Sequence, residues 1–426
     1  MLLLVMFLAL VAMICLHVPI AVALALSALI GIVATDGPSS LVNVGLDMYN
    51  GATNFSLIAI PMFVLAGAIM NATGITQRLI NFVSAMIGFV RGGLAIITIG
   101  VSLFFAEISG SAVAGVAAIG SLLIPQMKKR GYPAPLAAAV TSSAASLAII
   151  IPPSIPMILY GVSAGTSVEQ LFVAGFVPGF LGAAGLMGVA HLMARRYNLP
   201  VEKAFSWPRL KTTFIDAAPT FAIPVIILGG IFGGLVTATE AAGLAVLAAI
   251  LVGLYYGEVN LRELKTAMLD GGMQTAVVML LVASSVLMGD YLTTAQVPQR
   301  IATWMLGLTH NKYLILLILN VFFLIIGFFL HSAAAIILVV PIVIPLIQAA
   351  GIDPVHFGLV VTLNLAIGQQ TPPVASVLIT ACSIAKTGIW EVTKINIYFI
   401  AVLLAVLLMC TYIPAIPMFL VDAFYR

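Results

Sequence analysis

Thirty residues from Val355 to Ile384 form an almost wholly apolar run, with Gly368-Gln369-Gln370-Thr371-Pro372-Pro373 at its middle. About 20 apolar residues suffice to cross a bilayer as a helix, so this run is too long for one straight crossing. Proline lacks a backbone donor and clashes with the preceding turn, so the helix should break at the hexad. A break within hydrocarbon strands carbonyls and amides. It is tolerated only where the segment is buried in protein, lines a watery cavity or coordinates something. Pro133 to Val162 repeats the pattern, interrupted by Ile151-Pro152-Pro153-Ser154-Ile155-Pro156.

With 62% hydrophobic residues, 7% charged and a mean hydropathy of +1.22, the chain cannot be a soluble globule, in which about a quarter of residues are charged. It reads as an all-α polytopic membrane protein embedded in a lipid bilayer. A formal net charge of +3 is too small to indicate nucleic acid. Cys15, Cys382 and Cys410 lie in apolar runs without metal-ligand spacing and read as small apolar side chains.

The positive residues give orientation. Met1 to Ala34, interrupted by His17 and Pro19, reads as two short crossings or one kinked one, or as a signal peptide that lacks a basic start. Asp36 to Asn54, with no Lys or Arg, reads as an external loop. Gln77 to Arg91 reads either as an amphipathic helix on the membrane surface or as an ordinary connecting helix. Gly93 to Met127 is interrupted by Glu107-Ile108-Ser109-Gly110-Ser111-Ala112 and flanked by Arg91 and Lys128-Lys129-Arg130. Positive residues on both flanks predict a re-entrant hairpin over 93–128 with its tip at Ser109 to Ala112. The broken helix over 133–162 follows it. A basic cytoplasmic linker, 195–212, carries Arg195, Arg196, Lys203, Arg209 and Lys211 and divides a first repeat, 1–194, from a second, 213–426. In the second, a hairpin over 313–348 with Leu330-His331-Ser332-Ala333 at its middle precedes the broken helix over 355–384.

One register superposes the halves. Ile124-Pro125 through Gly131 matches Ile344-Pro345 through Gly351, and Pro152-Pro153 matches Pro372-Pro373, at a shift of 220 (344 − 124 = 372 − 152). The first copy leaves its hairpin through Lys128-Lys129-Arg130 and the second through Gln348-Ala349-Ala350 and Asp353, so the copies should face opposite sides of the membrane. Inverted-topology repeats with interrupted helices are an architecture of secondary transporters.

Several phrases together are similar to those of one family. Phe104-Phe105-Ala106-Glu107-Ile108-Ser109-Gly110-Ser111-Ala112, Ile150-Ile151-Pro152-Pro153-Ser154-Ile155-Pro156, Gly351-Ile352-Asp353-Pro354-Val355-His356-Phe357-Gly358 and Thr371-Pro372-Pro373 resemble the large membrane subunit, DctM type, of tripartite ATP-independent periplasmic (TRAP) transporters. The resemblance covers nearly the whole chain. It implies a fold of the ion-transporter-superfamily kind that moves as an elevator, located in the bacterial inner membrane. It also implies a sodium-driven importer of organic acids, working with a small membrane subunit (DctQ type) and a periplasmic substrate-binding protein (DctP type). C4-dicarboxylates, sialic and other sugar acids and ectoine-like zwitterions all fit that implication.

A coupling cation needs several oxygens, which exposed carbonyls and hydroxyls supply without a buried carboxylate. The first copy offers Ser109, Gly110 and Ser111, facing the break at Pro152; the second offers His331 and Ser332, facing Gly368 and Thr371. Neither broken helix nor the second tip carries Asp or Glu, which favours Na⁺ over H⁺. The tip serines read alternatively as helix caps. An anionic substrate belongs where half-helix N-termini and hydroxyls converge, making Ser111, Ser154, His331, Asn364 and Thr371 candidates. Asn364 reads equally as an interhelical hydrogen-bond link. His331 stands where many members of the resembled family carry Asp; it reads as a partner for a carboxylate, a pH sensor or a satisfied polar residue. Glu107 and Glu240 read as loop or scaffold contacts or as ion contacts. Intramembrane enzyme motifs are absent from the sequence. A passive channel and a stand-alone sodium/organic anion symporter without a binding protein are the rival functions.

Overall fold

The protein was analysed as a computed structural model that describes residues 2–16, 18–201 and 204–425. His17 and Lys203 lie outside that description, as do a few side chains within helices, those of Glu107 and Ser109 among them. The described chain is helical nearly throughout, and eight helices are long and apolar enough to cross a bilayer. With no water in hydrocarbon to satisfy backbone groups, helices that bond internally are the only open-chain solution.

Both hairpins form. Gly93–Ser109 runs to Gly110, whose φ of +57° turns the chain. Ser111 then caps the returning arm, which is helical from Ala112 to Lys129 with a π-turn at Val116–Gly120. In the second hairpin Lys312–Phe329 turns through Leu330 and His331 into Ser332–Ala349. Both broken helices form too. Ala134–Ala145 continues as a 3-10 turn to Ile149, breaks, and resumes as Ile155–Ala164. Pro354–Gly368 breaks and resumes as Ser376–Ala385. The Pro152-Pro153 and Pro372-Pro373 peptide bonds are both cis.

The broken helices lie antiparallel at the centre. Ser376–Ala385 packs on Ala134–Ala145, and Ile155–Ala164 packs on Pro354–Gly368 and on the returning arm of the second hairpin. Hydrogen bonds close both ends: Lys128 Nζ donates to Ala385 O at 2.9 Å, and Tyr160 Oη donates to Pro354 O at 2.8 Å. The second broken helix thus ends beside the basic exit of the first hairpin, where the first broken helix begins. That is the relation expected of inverted copies. Each hairpin tip is tied to the break of its own repeat, by Ile155 N to Gly110 O at 3.4 Å and Val374 N to Phe328 O at 3.2 Å.

Around this core stand longer helices: Val168–Arg196, Trp207–Phe232, Ala238–Tyr255, Leu261–Thr294 and Ile389–Tyr412. The N-terminal stretch forms two helices, Leu2–Cys15 and Ile20–Asp36, whose Met6, Leu10, Leu24 and Ala28 pack with Leu287, Met288 and Tyr291 in a cluster of their own. The expected external loop from Asp36 to Asn54 is not one: it contains the helix Leu41–Ala52, which lies on Leu261–Thr294. Its Gly and Asn residues hid a helical pattern, in which Val44 and Met48 turn inward while Val42, Leu46 and Tyr49 stay exposed. The segment near Gln77 is a one-faced helix, Ile75–Ile87, with Ile75, Leu79, Phe82 and Val83 buried and Gln77 and Asn81 exposed. The linker spans the gap between Arg196 and Trp207, shorter than the expected 195–212 because both flanking helices extend into it.

Candidate functional site

The two tips and the two breaks converge on a cavity of about 580 Å³. Gly110 and Ser111 enter from the first tip, His331 and Ser332 from the second, Ile149 and Ile155 from the first break and Gln369 from the second. The facing wall is the helix Leu261–Thr294, which presents Met273, Gln274, Val277 and Leu281. A second cavity of about 590 Å³ shares Val64, Ser111 and Gln274 with the first and extends to Asn71, Thr266, Asp270 and Arg262. The cleft therefore follows the helix Leu261–Thr294 from the tips to the end marked cytoplasmic by Arg262 and Lys265.

Ser111 and His331 are equivalent under the repeat shift (331 − 111 = 220), and each immediately precedes the returning arm of its hairpin. Ser111 Oγ accepts from Ala114 N at 3.4 Å, so it caps its helix while lining the cavity. His331 makes no such cap and is exposed to the cavity. Ser332 is buried beside it. Each returning arm aims its first free amides at the cleft, where they favour negative charge.

The remaining sequence candidates lie elsewhere. Ser154 is fully buried; its Oγ donates to Ile149 O at 2.7 Å and accepts from Met157 N at 3.4 Å, joining the two sides of the first break. Asn364 Nδ2 donates to Asn320 Oδ1 at 2.7 Å and to Val360 O at 2.8 Å, linking the second broken helix to the second hairpin. Its Oδ1 has no partner among the described residues. Thr371 Oγ1 donates to Ile367 O at 3.0 Å within its own break. Pro152 sits in the first break, and its neighbour Pro153 approaches the first tip: a Cβ on Gly110 would stand 3.0 Å from Pro153 O. Gly368 meets the second hairpin backbone: a Cβ there would fall 2.5 Å from Gly327 Cα. Only glycine at both positions lets the break and the hairpin touch. Ser109 and Glu107 have side chains outside the described set. Glu240 accepts from Thr237 N at 2.8 Å in a capping box at the start of its helix.

Gln369 and Gln274 are cavity residues that sequence reasoning did not single out, although Gln369 lies inside the hexad and Gln274 is a polar residue on a long apolar helix. A polar seam also joins the halves behind the cavity. Ser143 Oγ lies 2.7 Å from both Gln370 Oε1 and Asn396 Oδ1.

The profile of the family described as "Tripartite ATP-independent periplasmic transporter, DctM component" matches residues 7–416. The chain belongs to that family. This DctM-family chain is 41% identical to the isethionate TRAP transporter permease protein DctMQ of Oleidesulfovibrio alaskensis over 94% of its own length, and spans 64% of that longer relative. It is 37% identical to the C4-dicarboxylate TRAP transporter large permease protein DctM of Pseudomonas aeruginosa, covering 89% of this chain and 90% of the relative. The crystal structure of the Alcanivorax borkumensis YdaH transporter, described as having an unusual topology, superposes with a TM-score of 0.66 at 16% identity over 89% of both chains. That likeness concerns the fold alone. The DctM-family chain is accordingly a multi-pass membrane permease subunit of a TRAP transporter, and not an enzyme.

Proposed function

We propose that this permease imports a small organic acid across the bacterial inner membrane by Na⁺ symport, receiving it from a periplasmic binding protein of the DctP type beside a small DctQ-type membrane subunit. The observation that carries the reading is the convergence of both hairpin tips and both helix breaks on one cleft. Ser111 and His331, both on the cavity, are the cargo contacts in this reading. Ser154, Asn364 and Thr371, whose donors are engaged within the protein, hold the breaks in shape.

The donor set suits sodium. Among the described residues no group of three His, Cys, Asp or Glu side chains could hold a metal, so a cation here must be one that neutral oxygens satisfy. At the first site these would come from Gly110, Ser111, the carbonyls near Pro152 and the adjoining Ser109. At the second they would come from Ser332, Gly368 and Thr371, where the Gly327–Gly368 approach brings two backbones together. Bound there, the ion would couple its gradient to closure of the tips over the cargo. The chain's own part is to hold carbonyls unpaired by helix and to exclude water with the apolar arms.

Uptake into proteoliposomes tests the reading. Accumulation should require an inward Na⁺ gradient, the small subunit and a loaded binding protein. Uptake of free acid without the binding protein would favour a stand-alone symporter, and unsaturable flux without accumulation would favour a channel.

A further inference from the structure

We infer that the cleft selects a singly charged organic acid with a short apolar body, its one anionic group held between His331 and Gln369. The inference deepens the transport reading and rests on it.

Among the described residues, no Lys, Arg, Asp or Glu lines the cavity between the tips. Its walls are mostly aliphatic, with Ile149, Ile155, Val277 and Leu281 among them. An ionised carboxylate taken from water without a counter-charge or full hydrogen bonding costs several kcal/mol. One such group can be met by the donors gathered at the tips; a second, on the far side of a dianion, would meet aliphatic side chains and the single neutral amide of Gln274, with no counter-charge. The charged residues of the cleft, Arg262 and Asp270, stand in the adjoining cavity toward its cytoplasmic end.

The donors are specific. Gln369 lines the cavity, is 2% exposed, and its Nε2 has no acceptor among the described residues, while its Oε1 accepts from Ser376 Oγ at 3.4 Å. A buried donor left unpaired is unfavourable, and a carboxylate or sulfonate oxygen would supply the missing acceptor. Gln370 Nε2 is also unpaired, but Gln370 belongs to the seam with Ser143 and Asn396 and does not line the cavity. His331 has an N–H to donate in either protonation state, and no capping bond engages it. Ser111 and the returning-arm amides complete the cluster of donors at the tips. The opposite side presents Met273, Val277 and Leu281, with the neutral amide of Gln274 among them, a mostly apolar wall suited to an alkyl body.

Binding to the purified full chain in Na⁺ buffer at about pH 7.5, where succinate and malate are doubly ionised, tests this through ligand-dependent thermal stabilisation. Propionate and 2-hydroxyethanesulfonate should bind at least about tenfold more tightly than succinate or malate, equivalent to about 1.4 kcal/mol. Gln369→Met should lower monoanion affinity about tenfold while its ligand-free midpoint stays level or rises, because the substitution removes an unpaired donor. Should that variant not fold, the pair His331→Ala and His331→Gln gives the same discrimination, since only Gln keeps an N–H. Succinate matching propionate, no acid binding at all, or wild-type affinity in Gln369→Met and His331→Ala would overturn the inference. No binding protein is present in this assay, so its result is separate from whether delivery requires one.

Discussion

Ser111 and His331 occupy one structural position in two copies, yet one ends in a hydroxyl and the other in an imidazole. The hydroxyl is small enough to cap its helix and face the cleft together. Ser111→Ala keeps the helix, because a lost cap costs only about 1 kcal/mol. It removes an oxygen from the site, so Na⁺-dependent uptake should fall tenfold or more, roughly the loss of one charge-assisted bond, with membrane insertion unchanged. Wild-type transport would take the serine out of the site. Gly368 makes a different point. A Cβ there meets backbone of Gly327 and not a side chain that can swing away, so Gly368→Ala should cost about 1–3 kcal/mol of stability, read as a lower unfolding midpoint. Gly229→Ala, with open space around its Cβ, should leave that midpoint unchanged.

Among the elements, the helix Ile75–Ile87 shows how a surface piece is anchored. Arg78 forms a two-pronged bond to Glu258 at 2.9 Å on each side, lies 3.5 Å from Asp216, and stacks 3.7 Å over the Tyr256 ring. The bond to Arg78 holds the Glu258 carboxyl below its usual value. A carboxylate whose pKa is lowered by folding stabilises above its unfolded value of about 4.3, and that contribution is lost as pH falls through the lowered value. Glu258→Gln should therefore flatten the acid limb of the unfolding midpoint below about pH 4.3, leaving its slope between there and neutrality unchanged. Because the Glu258 side chain stands in solvent, the difference should stay under about 1 kcal/mol. Inside the core the aromatic relay Tyr160, Phe357 and Phe323, with centroids 6.4 and 6.0 Å apart, ties three elements together. Phe357→Ala should cost about 3–5 kcal/mol, seen as a large drop in unfolding temperature.

For the whole molecule, the decisive relation is that the two broken helices run antiparallel. Single cysteines at Lys129 and Ala350 should be labelled by an impermeant thiol reagent from opposite faces of the membrane, Ala350→Cys from outside. Labelling of both from one face would end the inverted-repeat account.

Much of this organisation was legible in the chain itself. Run length, Pro-Pro breaks, the Gly110 turn and the placement of Lys and Arg act locally, and a bilayer enforces them strictly because no water is present to satisfy an error. The hairpins, the breaks and the repeat register follow from those alone. What the sequence could not determine was the direction each polar residue faces. Successive residues on a helix point about 100° apart, and packing chooses which of them meets the cleft. Thus Gln369 reaches the cavity while its neighbour Gln370 enters the seam, Asn364 and Ser154 close interior bonds, and Gln274 turns a scaffold helix into a wall of the site. Helix existence is a property of the segment; helix rotation is decided only by the neighbours it packs against.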